Sequence, residues 1–175
     1  MNSLQALVIV DAQVNMFDEK FSVFDGDRII NVLANLIDKA RAEDVPVIYV
    51  RNNGDEGEPD EPGTLGWEIH PSITPQSDDI VIDKQGPDAF DKTNLEKILK
   101  KQRISNLVIA GMQTEMCVAS SSRRAVDLGY KVILVEDGHS TFNFDDLNAE
   151  EEISRVNREM RAMAEVKTAD RIVFR

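Results

Sequence analysis

The chain is poor in several features that define whole classes of protein. Only one of its 175 residues, Cys117, is a cysteine, so no disulfide can form within the chain. No apolar run approaches the roughly 20 residues that span a bilayer. The first five residues lack the basic start and apolar core of a signal peptide. These absences predict a cytoplasmic protein that does not enter a membrane.

Basic residues are also scarce. The 20 Lys and Arg residues are outnumbered by 32 Asp and Glu residues, which gives a formal net charge of −12. Because such a surface repels phosphate backbones and anionic lipids, we expect no nucleic-acid partner and no membrane partner. Apolar residues make up 42% of the chain and charged residues 30%, as in ordinary globular proteins. The length predicts a single domain over residues 1–175.

Short β-rich runs alternate with helical patterns along the chain. The strand candidates are residues 6–10, 45–50, 80–82, 106–110, 132–135 and 171–174. The helix candidates are residues 27–42, a helix opened by the capping-box pattern of residues 93–96 and ending near 101, residues 116–128 and residues 148–165. Such alternation predicts an α/β fold with a parallel sheet between two layers of helices.

Three predicted strands are followed by side chains that suit chemistry. Asp11 follows the first predicted strand and Lys84 follows the third. The fourth predicted strand is followed by a turn that leads to Cys117. Because ligands of open parallel sheets bind beyond the carboxyl ends of the strands, a carboxylate, an ammonium and a thiol are expected at one edge.

Each of these residues also has an ordinary interpretation. A lone cysteine is commonly a small buried apolar residue, yet Cys117 lies near a predicted helix start, where the helix dipole favours a thiolate. Asp11 is either a partly desolvated general base or a turn residue. Lys84 is either a solvated strand-end lysine or the charge that stabilises the thiolate.

The two histidines and one long loop leave further alternatives open. His70 lies in a loop region and His139 follows the fifth predicted strand, so either can approach the site. Residues 52–66 are rich in Gly, Pro, Asp and Glu, which is typical of a solvated surface loop. The alternative is a lid over the site, since long loops in small domains are often functional.

Three segments resemble motifs of the isochorismatase-like cysteine hydrolase superfamily, which includes nicotinamidase and N-carbamoylsarcosine amidohydrolase. Residues 8–13 (VIVDAQ) resemble the motif that supplies an aspartate, Lys84 and the residues after it resemble the lysine segment, and residues 111–118 (GMQTEMCV) resemble the nucleophile turn. The three occur in order with family-like spacing, and the resemblance covers nearly the whole chain.

The resemblance implies both a fold and a site. The fold is a three-layer, Rossmann-like α/β/α sandwich whose six-stranded parallel sheet has the order 3-2-1-4-5-6. A cis peptide is expected between Met112 and Gln113, and the backbone N–H groups of Gln113 and Cys117 are expected to form an oxyanion hole. Asp11 would take the thiol proton, Lys84 would stabilise the charged pair, and Cys117 would attack a carbonyl carbon to form a thioester.

A substrate pocket is expected beside this triad. Its candidate residues are Gln13, Phe17, Trp67 and Phe90, with ordinary core packing as the alternative for the aromatic ones. Nicotinamidases carry a metal-binding Asp-x-His after the second strand, where this chain reads RNNGD at residues 51–55. We therefore expect no metal and no cofactor.

The expected activity is cleavage of the C–N bond of a small amide. The alternatives are an isochorismatase-type or ester hydrolase that does not depend on the cysteine, and a non-catalytic binding subunit with the same fold. A thiol redox sensor is disfavoured because the chain has no second cysteine to resolve an oxidised thiol. The resemblance also implies a homo-oligomer that acts on a small-molecule substrate.

Overall fold

The computed structural model describes residues 4–175, and its main feature is a six-stranded parallel sheet. The strands are β1 (Leu4–Val10), β2 (Val47–Asn52), β3 (Ile80–Lys84), β4 (Ile104–Met112), β5 (Lys131–Ser140) and β6 (Glu165–Lys167). All neighbouring strands pair in parallel, in the order β3-β2-β1-β4-β5-β6. The predicted order 3-2-1-4-5-6 is confirmed. A separate two-stranded hairpin joins Phe17–Asp18 to Phe21–Ser22.

Helices cover both faces of this sheet. They are α1 (Gly26–Ala42), α2 (Leu95–Lys101), α3 (Ala119–Asp127) and α4 (Ala149–Met160). One face packs against α1 and the other against α2, α3 and α4, which gives two separate apolar cores. Strand β1 supplies Leu7 and Ile9 to the first core and Ala6, Val8 and Val10 to the second. Its unbroken apolar run is therefore the pattern of a strand buried on both faces.

Helix α1 shows how the apolar period fixes one layer. Its buried residues are Ile29, Ile30, Leu33, Leu36, Ile37 and Ala40. They recur at intervals of three and four residues, so they form one stripe on the side that faces the sheet. Burial of each large side chain stabilises the fold by roughly 1.5–3 kcal/mol.

The end of the chain differs from its prediction. Residues 171–174 were expected to form the sixth strand, but β6 is Glu165–Lys167, and a 3-10 turn (Ala169–Arg171) follows it. The alternating apolar residues of this tail are buried all the same, because Ile172 and Phe174 lie in the core on the α1 side. Their burial comes from packing against the helix layer and not from strand pairing.

Two helix ends also differ. Helix α4 stops at Met160, five residues before the expected end, where the N–H groups of Met163 and Ala164 turn back to donate to the Met160 carbonyl. At α2 the predicted capping box forms only in part. The Thr93 hydroxyl accepts from the Leu95 N–H at 3.3 Å, whereas Glu96 forms an ion pair with Lys100.

The carboxyl edge of the sheet brings distant segments together. Val10 lies opposite both Val50 and Gly111, and Asn52 lies opposite Lys84. Gly111 has φ 130°, and a Cβ atom there would lie 2.0 Å from the Val10 carbonyl oxygen. Only glycine suits this position, because any side chain would force β1 and β4 apart.

Within residues 4–175, no helix has both the length and the apolar character that crossing a bilayer requires.

Candidate active site

Lys84 lies at the centre of a cluster of polar groups at the carboxyl edge. Its Nζ donates to Asp11 Oδ2 at 3.0 Å, to Asn52 Oδ1 at 3.1 Å and to the Gly86 carbonyl at 2.8 Å. The Cys117 Sγ is 3.3 Å from the same nitrogen. Lys84 and Asp11 are both buried, at 2% and 1% exposed. A buried ammonium with this many acceptors is held in one place between the carboxylate and the thiol.

Asp11 is held in an unusual backbone conformation at the end of β1. Its φ is 48°, in the left-handed region that non-glycine residues rarely adopt, and its N–H donates to the Val50 carbonyl at 2.8 Å. Such strain is commonly kept where it serves a site. Burial raises the pKa of the Asp11 carboxyl, and the positive charge of Lys84 opposes this effect. Asp11 Oδ1 is buried without a hydrogen-bond partner among the described residues, so it is available to receive a proton.

The surroundings of Cys117 favour the neutral form of its thiol in the free protein. Burial and the negative charge of Asp11 raise the pKa of its thiol to about 12, although Lys84 acts in the opposite direction. The position near a helix start favours a thiolate, whereas burial and the Asp11 charge act against it in the folded protein. A protonated thiol would need a base to remove its proton before it could act as a nucleophile, and the carboxylate beside it suits that role.

The turn that carries Cys117 has an irregular backbone. The peptide bond between Met112 and Gln113 is cis, at the position that the resemblance implied. A π-helical turn (Thr114–Val118) follows, and α3 begins at Ala119. In this turn the Met116 and Val118 N–H groups donate to the Gln113 carbonyl.

A buried histidine supports this turn from behind. His139 Nδ1 lies 2.9 Å from Thr114 Oγ1, and its Nε2 lies 2.9 Å from Asn157 Oδ1. The Asn157 amide nitrogen donates to the Glu136 carbonyl, so its oxygen faces the ring and accepts from Nε2. Burial lowers the pKa of His139 to about 4, which makes it a neutral structural group.

A cavity of about 370 Å³ opens in front of the thiol. Its lining residues are Asp11, Met16, Asn52, Asn53, Gly54, Asp55, Glu58, Asp60, Gln85, Gly86, Pro87, Gln113, Met116 and Cys117. Six of these lie within residues 52–66, so this loop forms one wall of the cavity and is more than a solvated surface loop.

Gln13 and Trp67 lie behind that wall and are not among the residues that line the cavity. Gln13 is fully buried and holds the Asn52 backbone at both ends, since its Oε1 accepts from the Asn52 N–H and its Nε2 donates to the Asn52 carbonyl, each at 2.9 Å. Gln13 also donates to the Trp67 carbonyl. The Trp67 indole N–H donates to Asn53, and the Arg51 guanidinium lies over its ring. Both residues therefore fix the loop from behind.

The two predicted pocket phenylalanines also lie away from the cavity lining. Phe17 packs edge-on against His70 with ring centroids 4.9 Å apart, and Phe90 packs against Tyr130 at 6.0 Å. Both contact the apolar cores, so the core-packing interpretation fits them better. His70 accepts from the Ser72 N–H and does not line the cavity.

Asn52 is the site residue that the sequence reasoning missed. It contacts Lys84 directly, yet it was regarded only as the start of a loop. The signal was present, because Asn52 ends β2 just as Lys84 ends β3, and strand ends of a parallel sheet meet at one edge.

A second cavity, of about 610 Å³, lies at the opposite edge of the sheet. It is larger, but the described residues that line it include no cysteine, serine or histidine. Among residues 4–175, no three His, Cys, Asp or Glu side chains cluster as a metal would require. The cavity at Cys117 is therefore the better candidate for chemistry.

Comparison with known sequences finds relatives named as hydrolases. The chain is 34% identical to a streptothricin hydrolase of Streptomyces noursei over 80% of its length, and 31% identical to the ureidoacrylate amidohydrolase of Agrobacterium fabrum over 75%. It covers 74% of the latter protein. It spans only about half of two streptothricin hydrolases, 56% of one and 51% of the other.

Solved structures share the fold over nearly the whole chain. A putative isochorismatase hydrolase from Oleispira antarctica superposes with a TM-score of 0.89 at 29% identity, covering 97% of this chain and 96% of that one. An isochorismatase from Pseudomonas putida superposes with a TM-score of 0.90 at 29% identity, covering 97% and 90%. The family model described as the isochorismatase domain matches residues 5–170. The chain therefore belongs to the isochorismatase domain family.

Proposed function

We propose that this protein is a cysteine amidohydrolase, which cleaves the C–N bond of a small amide through a thioester on Cys117. The observation that carries the proposal is the position of Lys84 Nζ, 3.0 Å from Asp11 Oδ2 and 3.3 Å from Cys117 Sγ, beside a cavity. A base, a cation and a nucleophile in mutual contact are the groups that acyl transfer requires. The relative named as an amidohydrolase supports the choice of a C–N bond.

The first half of the reaction forms the thioester. Asp11 takes the thiol proton as Sγ attacks the carbonyl carbon, and Lys84 stabilises the charged pair. The oxyanion of the tetrahedral intermediate accepts from the Gln113 and Cys117 backbone N–H groups. Asp11 then gives its proton to the leaving nitrogen as the C–N bond breaks, and the amine departs.

The second half regenerates the thiol. Asp11 accepts a proton from water as the water oxygen attacks the thioester carbon. The C–S bond breaks, the acid product leaves, and Cys117 recovers a proton from Asp11. Because the chain's own side chains supply every proton transfer, the proposal requires no metal and no cofactor.

Two other functions remain as alternatives. An isochorismatase-type or ester hydrolase would use the same cavity without depending on Cys117. A non-catalytic binding subunit would use the cavity alone. The buried contact of Lys84 with Asp11 and Cys117 favours the amidohydrolase, because burying a charged pair is costly and a binding subunit has no need of a thiol there.

The direct test is ammonia or amine release from a panel of small amides, which would include primary carboxamides, carbamoyl compounds and lactams, the last followed by ring opening. Wild type is compared with Cys117→Ala and Asp11→Asn. We expect at least one substrate to turn over, with loss of at least about 10²-fold in either variant. For wild type, kcat/KM should fall at acid pH, because protonated Asp11 is no base, and the raised pKa places this fall above the ordinary value of 3.8.

The results separate the alternatives. Turnover that survives in Cys117→Ala would point to a hydrolase that does not use the thiol. If no substrate turns over and iodoacetamide fails to label Cys117 across the pH range, the binding-subunit function replaces the proposal.

A further inference from the structure

We propose that Asn52 and Asp60 form a positioning pair for the reaction, in which Asp60 anchors the Asn52 amide and Asn52 holds the Lys84 ammonium between Asp11 and Cys117. The inference rests on the roles proposed above for those three residues. It assigns Asn52 and Asp60 no contact with the reacting atoms, since Asn52 acts through Lys84, and Asp60 acts through Asn52 and through its charge.

The geometry forms a continuous chain from the loop to the thiol. Asp60 Oδ2 accepts from the Asn52 amide nitrogen at 2.7 Å, and the Asn52 amide oxygen accepts from Lys84 Nζ at 3.1 Å. Asp60 thus decides which end of the Asn52 amide faces Lys84. Were the amide reversed, its N–H₂ group would face the ammonium and repel it.

The Asn52 backbone is fixed independently of its side chain. Its N–H and carbonyl groups are both bonded to the buried Gln13 side chain. Loss of the Asp60 carboxylate therefore frees the amide to rotate without releasing the strand end. This separation makes the pair testable without unfolding the loop.

Asp60 also acts on the site through its charge. The charged or titratable groups that act on Asp11 are Lys84 of β3, Cys117 of the nucleophile turn and Asp60 of the loop. The negative charge of Asp60 contributes to the raised pKa of Asp11, because a neighbouring anion disfavours a second one. Asp60 therefore favours the state in which Asp11 holds the thiol proton.

The experiment measures the rate at which iodoacetamide alkylates Cys117 as a function of pH. Cys117 is the only cysteine in the chain, so the label reports on this site alone. When both Asp11 and Cys117 are protonated, the pair must lose one proton before a thiolate can form near neutral pH. The alkylation rate should therefore rise with pH through the apparent pKa of the pair and then reach a plateau.

Two variants at Asp60 separate its anchoring from its charge. Asp60→Ala removes both, so the plateau rate should fall about tenfold and the rising limb should move to lower pH. Asp60→Asn keeps an oxygen that can accept from Asn52 but loses the charge that favours a protonated Asp11. Its plateau rate should therefore lie above that of Asp60→Ala and below that of wild type, and its rising limb should stay at lower pH. Glu56→Gln and Glu56→Ala are the matched controls, because Glu56 lies in the same loop, is exposed and does not line the cavity. Both should behave as wild type.

Two results would overturn the positioning pair: equal profiles for Asp60→Ala and Glu56→Ala, or no recovery of the plateau in Asp60→Asn. The label needs no substrate, so the outcome is independent of turnover. Shifts as expected in a protein that hydrolyses no amide would refute the proposed function and leave the positioning pair standing.

Discussion

Cys117 and Asp11 share one proton, and their surroundings decide where it rests. Burial raises the pKa of both groups, and the Asp11 charge contributes to the thiol value of about 12. Lys84 touches both residues and favours the charged form of each. The resting site therefore holds a protonated thiol beside a carboxylate whose Oδ1 has no partner among the described residues. This arrangement suits proton transfer during attack, since the base and its proton are already adjacent.

His139 is a buried residue that does not line the cavity at Cys117. The ring is fully buried and bonded on both nitrogens, and burial disfavours its protonated form. Nε2 already donates to the Asn157 amide oxygen, so a second proton would enter at Nδ1, where the Thr114 hydroxyl would have to accept instead of donate. The neutral ring thus links the nucleophile turn to α4.

The free energy of unfolding should therefore depend on pH through His139. Its pKa is about 4 in the folded protein and 6.5 as the ordinary value, so between these pH values the unfolded state binds more protons. Stability from this residue is complete above pH 6.5 and is lost as the pH falls toward 4, by roughly 3 kcal/mol in total. Urea unfolding of wild type and His139→Gln at several pH values measures the difference. If the free energy of unfolding changes with pH equally in the two proteins, His139 is not the residue responsible for the pH dependence.

At the scale of elements, the helix starts differ in how they are capped. Helices α2 and α4 are both preceded by asparagine, Asn94 and Asn148. The Asn148 side chain accepts from the Glu151 N–H at 3.1 Å, whereas the Asn94 side chain makes no capping hydrogen bond. The same residue type therefore has a different energetic role at the two positions.

This contrast predicts unequal costs for one substitution. Asn148→Ala should lower the free energy of unfolding by about 1 kcal/mol, because it leaves a helix N–H group without its acceptor. Asn94→Ala is the matched control and should change stability by much less. Chemical denaturation of both variants, with equal m-values, provides the comparison. If both variants lose a similar free energy of unfolding, the Asn148 capping hydrogen bond does not stabilise α4.

For the whole molecule, the two apolar cores lie on opposite faces of the sheet. The last residues return to the core on the α1 side, where Phe174 is 4% exposed, while its neighbour Val173 is 59% exposed. The chain end thus completes one layer of the fold, although it lies outside the sheet. The homo-oligomer and the cytoplasmic location remain predictions.

The alternation in this tail allows a stability test. Phe174→Ala should cost about 3 kcal/mol, since it removes a buried aromatic ring and leaves a cavity. Val173→Ala should cost less than about 0.5 kcal/mol, because its side chain faces solvent. Thermal and urea unfolding of the two variants measures the difference. A near-neutral Phe174→Ala would indicate that the tail is only loosely held against α1.

The layered fold, and the edge of the sheet at which a site was expected, could both be predicted from the sequence. Unbroken apolar strands that alternate with amphipathic helices leave few alternatives to a parallel sheet. Asp11, Lys84 and Cys117 each lie at or beyond the carboxyl end of a strand of that sheet. The prediction that residues 171–174 form a strand failed because alternation reports burial and not the partner that provides it.

The surroundings of those residues could not be predicted from the sequence, because they depend on contacts between distant segments. The protonation of Cys117 depends on burial and on charges from other strands, and the sequence pattern contains neither. The place of Gln13 behind the loop and the contact of Asn52 with Lys84 depend on strand register. The hydrogen bonds of Lys84 to Asp11 and to Asn52 join residues more than 30 positions apart, and no local sequence pattern encodes such distances. These contacts could therefore be identified only in the folded structure.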